Sequence, residues 1–147
     1  MITRRTALAL MGATIASPVL ANRPEIYKGH DSVAVNGYDV VGYFTDGAHV
    51  QGLPEFSTDW MGAIWQFSNA ANRDMFAANP EAYAPQYGGH CAYAASKDAL
   101  ASTVPEAWTI VGGKLYLNFS LGVRDLWRQD ISRNIALADG FWPGLHA

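Results

Sequence analysis

The chain has 147 residues, half of them hydrophobic and 12% aromatic, which excludes a disordered polymer and fits a packed domain. Its formal net charge is −3, and its 10 basic residues gather nowhere, so nucleic acid is not an expected partner. One cysteine excludes an intramolecular disulfide and leaves Cys91 as a free thiol, a ligand or an intermolecular bridge.

At the start, Arg4-Arg5 precede an apolar run from Ala7 to about Ala16, and Val19-Leu20-Ala21 offers small or apolar residues for a cut. This is the pattern of a signal peptide of the twin-arginine type over residues 1–21, with an apolar run too short to span a bilayer. A periplasmic mature protein without a transmembrane segment is therefore expected. Loss of Arg4 and Arg5 would leave 8 basic against 13 acidic residues, a net charge of about −5. That route carries proteins already folded, which suits cofactor loading before export or rapid folding.

Residues 22–32 are polar and mixed, hold Pro24, Gly29 and the loop histidine His30, and read as a linker into one domain over 33–147. Asn36-Gly37 signals a turn. The stretch from Tyr38 to Phe44 reads as a strand or a short helix, since its mixed period does not decide. Asp39 within it is of the type that hydrogen-bonds nearby backbone. Residues 56–60 and 63–67, around Met61-Gly62, predict a β-hairpin. Ser68 stands where an N-cap belongs, before a helix through Ala78 with Phe76 as its core contact and Asn79-Pro80 as its end. A further helical turn, Pro80 to Tyr83, stops before Pro85.

Next comes Tyr87-Gly88-Gly89-His90-Cys91-Ala92-Tyr93-Ala94-Ala95-Ser96, which holds the cysteine, a neighbouring histidine and two tyrosines. The glycine pair permits positive φ and close approach, and so aims His90 and Cys91. The alanine-rich run after Cys91 starts a short helix, which puts the thiol at a helix N-terminus, a position that suits a ligand or a nucleophile. The competing reading is a buried thiol that only packs.

Residues 97–105 form a loop. Trp108 to Val111, Gly112-Gly113 and Lys114 to Phe119 predict a second hairpin, with Leu115, Leu117 and Phe119 inward against Lys114, Tyr116 and Asn118. Ser120 caps a helical region from Leu121 to about Ala138 whose buried face carries Leu121, Leu126, Trp127, Ile131, Ile135 and Ala138. Gly140-Phe141-Trp142-Pro143-Gly144 ends the domain with its aromatics folded back. The fold class is α+β: a small single domain of two β-hairpins packed with short helices and a C-terminal helical region.

Through Gly37-Tyr38-Asp39-Val40-Val41-Gly42-Tyr43-Phe44, Phe67-Ser68-Asn69-Ala70-Ala71-Asn72-Arg73-Asp74-Met75-Phe76, Asn79-Pro80-Glu81-Ala82-Tyr83, Tyr87-Gly88-Gly89-His90-Cys91-Ala92-Tyr93 and Trp108 to Asn118, the chain resembles the YHS-domain family. It looks like the exported single-domain branch. The resemblance implies a small α+β fold and, from cysteine-rich members, metal transport and handling. Those members carry Phe-Cys-Ser-x-x-Cys-x-x-x-Phe before Asn-Pro-Glu-x-Tyr and an earlier cysteine in Asp-Pro-Val-Cys-Gly. Here Ser68, Asn72 and Gly42 stand at those three thiol positions, and Ser, Asn and Gly do not make a soft-metal site.

Three functions follow as expectations. In the first, Cys91 and His90 hold a soft metal ion, Cu or Zn, with a third donor such as His30 or His49, and Tyr87, Tyr93, Tyr38 and Asp39 complete a small-ligand site; the protein is then a carrier or sensor. The second is a binding module without metal, in which Cys91 packs and an aromatic pocket of tyrosines with Trp60, Trp65 and Trp108 meets a ligand or protein. The third is a thiol enzyme using Cys91 and His90, with Asp39 or Asp98 orienting the base. Haem on His90 would lack a Cys-x-x-Cys-His attachment motif.

Overall fold

Two tight reversals carry the β structure. Met61 and Gly62, both at positive φ, join β1 (Leu53–Trp60) to β2 (Ala63–Phe67), with Trp60 opposite Ala63. Gly112 and Gly113 join β3 (Trp108–Val111) to β4 (Lys114–Leu117), with Val111 opposite Lys114. The computed structural model describes residues 25–147, so the leader expected over 1–21 lies outside the described residues. Both hairpins stand where alternation predicts them, although β1 begins earlier and its register shifts between Leu53 and Ser57.

Among the described residues, six helices complete a small α+β single domain with two two-stranded antiparallel sheets: α1 (Gly42–Thr45), α2 (Ala70–Ala78), α3 (Pro80–Tyr83), α4 (Ala92–Ala95), α5 (Leu121–Arg128) and α6 (Ile131–Leu145). Among the described residues no helix is long and apolar enough to cross a membrane. Of the stretch read as a linker, Ile26 is buried in the core and Lys28 pairs with Ala34.

The apolar residues form two clusters. The larger gathers Val40, Val41, Tyr43, Trp65, Phe67, Phe76, Leu115 and Leu117, with Trp65 and Phe76 ring to ring at 5.0 Å. Trp60, Trp65 and Trp108, expected around a pocket, pack here as core. The smaller gathers Tyr87, Ala92, Ala95, Tyr116, Trp127, Ala138 and Leu145. Strand β4 lies between them, so its two faces are both covered. That corrects the alternation: Tyr116 and Asn118, read as outward, are 3% and 0% exposed, whereas Phe119 is 50% exposed.

Two boundaries also differ from expectation. Asn69, not Ser68, caps α2, its side chain accepting the Asn72 N–H at 2.8 Å, because Ser68 is engaged elsewhere. Of the two readings open for residues 38–44, the short helix holds, as the helical turn α1. The C-terminal helical region is two helices: Ser120 caps α5 as expected, but the chain breaks before Asp130, whose carboxylate caps α6. Leu121 and Leu126 are consequently exposed and only Trp127 of α5 is buried. Residues 140–144 continue α6, and Trp142 does fold back, onto Tyr87 and His90.

Candidate functional site

The segment Gln86–Gly89 is a tight turn in which Tyr87, Gly88 and Gly89 hold φ of 60°, 62° and 85°. A side chain on Gly88 would clash with the Glu25 carbonyl, and one on Gly89 with Val35, so both glycines are required by space as well as by φ. The Tyr27 backbone locks the turn: its N–H donates to Gly88 O at 2.8 Å and its carbonyl accepts from Val35 N at 3.0 Å. The Tyr87 hydroxyl donates to Asp139 at 2.9 Å. Burial, with the Asp139 carboxylate beside it, raises Tyr87 well above the ordinary tyrosine range.

Beyond the turn, the backbone of His90 and Cys91 is extended, and their side chains meet different partners. His90 is buried beside the rings of Tyr27 and Trp142, at 5.8 and 5.9 Å. Cys91 is 1% exposed and caps α4. Its Sγ accepts N–H from Phe119 at 3.2 Å and from Ala94 at 3.5 Å, and its S–H donates to Asn118 Oδ1 at 3.4 Å. Asn118 Oδ1 also accepts the Tyr93 N–H at 2.9 Å, so one buried amide ties the end of β4 to the start of α4. Asn118 was read as an outward hairpin residue; a polar residue closing the apolar run Leu115-Tyr116-Leu117 is the signal that marks it.

Asp39 forms a second centre. Its carboxylate is fully buried, with Oδ1 accepting from Val41 N at 2.9 Å and Gly42 N at 3.0 Å. Oδ2 accepts from Ser68 N at 2.9 Å, Ser68 Oγ at 2.8 Å and Asn72 Nδ2 at 2.9 Å. Among the described residues no cationic side chain lies within ion-pair range of it, so these five donors balance the charge. Gly42, Ser68 and Asn72, the three positions aligned with thiols, thus all converge on one carboxylate. The other expected site residues are scattered: Tyr38 lies beside His49 at 6.1 Å, and the Tyr93 ring lies under Lys97 at 5.2 Å.

This donor set does not fit a soft metal. Among the described residues no group of three or more His, Cys, Asp or Glu side chains is placed to hold an ion. Of the two carboxylates expected to orient a base, Asp39 uses both oxygens on other partners and Asp98 is exposed.

A cleft of about 440 Å³ opens elsewhere, lined by Gly29, His30, Asp31, Val33, Asn36, Gly37 and Gln66. Unusual backbone lies in and beside the lining: Asn36 has φ of 61°, and Ser32 and Val35, which do not line the cleft, have φ of 68° and 42°. A β-branched residue at positive φ is costly, on the order of 1–3 kcal/mol. Val35 is held there by its bond to Tyr27, and Asn36 by its Nδ2 donating to Thr103 O at 2.9 Å. Sequence reading saw His30 as a loop residue and Asn36-Gly37 as a turn; Asp31 and Gln66 join them only because Val33 pairs parallel with Ile64 of β2. Neither a family model, nor a curated protein, nor a solved structure matches the chain.

Proposed function

We propose that the chain is an exported binding module of YHS-domain type in which Cys91 and His90 are structural and recognition takes place without metal. The observation that carries this is the Cys91 sulfur, buried to 1% exposure and occupied by two backbone N–H donors and the Asn118 amide. A thiol so placed caps a helix and joins it to a strand. Support for the domain type comes from the resemblance along the chain. The same comparison would put thiols at Gly42, Ser68 and Asn72, and here a hydrogen-bonded carboxylate holds that corner together. Export is supported by Arg4-Arg5 and the apolar run behind them.

Metal content measured by mass spectrometry on the protein purified from its own periplasm, beside Cys91→Ser, tests the reading. Both proteins are expected to lack a stoichiometric metal and to release added Cu(I) and Zn(II) on desalting. A stoichiometric metal that disappears in the variant would make Cys91 a ligand and overturn the proposal.

A further inference from the structure

The cleft at Gly29–Gly37 and Gln66 has a chemistry of its own. Its one carboxylate is Asp31, beside the carboxamides of Asn36 and Gln66 and the imidazole of His30. Asp31 is exposed and uses Oδ1 on the Val33 N–H at 3.0 Å, and no other partner engages its carboxylate among the described residues. One Asn36 N–H is taken by Thr103 O, while its Oδ1 receives only a long bond of 3.4 Å from the Tyr27 hydroxyl. Gln66 makes no side-chain hydrogen bond to the described residues, and its Oε1 lies over Gly37, where a Cβ would come within 2.9 Å of it. Gly52 is equally constrained, since a Cβ there would stand 2.5 Å from the Gln66 carbonyl. Of the two, Gly37 lines the cleft and keeps space open beneath the Gln66 carboxamide.

His30 is the one nitrogen base in the described lining. No lysine or arginine borders the cleft, and Lys28, the nearest in sequence, donates to Gly62 O at 2.7 Å. Val33 is the sole apolar side chain among the lining residues, which disfavours an aromatic or aliphatic ligand. An anionic ligand would meet the Asp31 carboxylate with no lysine or arginine in the lining beside it. The volume is in the range of small-molecule sites. Asn36, one of the six non-glycine residues at positive φ among the described residues, lines the cleft, and strain of that kind concentrates at ligand sites.

We infer that the cleft binds a small hydrogen-bond-donating cation, a ligand bearing an ammonium or guanidinium group, through Asp31, Gln66 and Asn36. This rests on the reading of the chain as a binding module and names the class of ligand. The probe is agmatine, which carries both groups, titrated into the full chain and followed by backbone-amide NMR, with glutarate as the anionic control. Saturable shifts confined to residues 29–37 and Gln66 are expected with agmatine and absent with glutarate. Asp31→Asn keeps the acceptor for the Val33 N–H, and hence the loop, but should weaken binding about tenfold, whereas Gln66→Glu should tighten it. Added salt should weaken the wild-type complex. Absence of saturation, equal affinity in Asp31→Asn, or glutarate in the same place would each overturn the inference. A cleft without shifts in a protein that holds no metal and keeps Cys91 shielded refutes the ligand class alone; a metal-bearing or reactive Cys91 refutes the module reading itself.

Discussion

Asp39 shows how much one side chain organises in this protein. It joins the start of α1, through the N–H groups of Val41 and Gly42, to Ser68 after β2 and to Asn72 in α2. The residue type was legible as one that bonds backbone, but its second set of partners lies 29 and 33 positions away, and no local pattern reports that. Removing the carboxylate strands several buried donors, each a substantial penalty. Asp39→Ala should cost about 3 kcal/mol or more in urea denaturation. Asp39→Asn should still cost about 2 kcal/mol, because its NH₂ would face N–H donors rather than accept from them. A loss below roughly 0.5 kcal/mol in both would mean that the carboxylate does not hold these segments together.

At the level of elements, the short-range signals were read well where the turn chemistry is self-contained. Met61-Gly62 and Gly112-Gly113 reverse the chain with positive φ, and both hairpins follow. Reading failed where tertiary contacts decide. Asp130 ends one helix and caps the next because the buried Asn134 amide reaches back to Trp127 O at 2.9 Å, a contact that a hydrophobic period does not encode. The glycines separate the two situations experimentally. Gly112 has positive φ with nothing near its missing Cβ, so Gly112→Ala should cost about 1 kcal/mol. Gly88 has a similar φ but faces the Glu25 carbonyl, so Gly88→Ala should cost more than about 3 kcal/mol, read from the shift in denaturation midpoint. Equal losses would show that the Glu25 segment yields freely and does not clamp the turn.

Across the whole molecule, the α+β class, the two hairpins and the helical C-terminus could be read from the sequence, because periodicity and turn residues express them directly. The site could not. Tyr87, His90, Cys91 and Tyr93 are contiguous in the chain, yet they divide between the Trp142 side and the Asn118 side of the fold. The cleft, conversely, unites residues 29–37 with Gln66 through one parallel bridge between Val33 and Ile64. Cys91 lies where β4 and α4 meet, and the backbone donors that reach its sulfur come from both sides of that junction. Access to the thiol therefore requires the junction to open, which disrupts the smaller core with it.

The most direct measurement is the rate at which a small aromatic disulfide labels Cys91 in the native protein, compared with labelling in urea and with the independently measured unfolding rate. Labelling that is slow under native conditions and tracks unfolding is what a structural thiol predicts. Rapid labelling of the folded protein would contradict it and return Cys91 to the role of ligand or nucleophile.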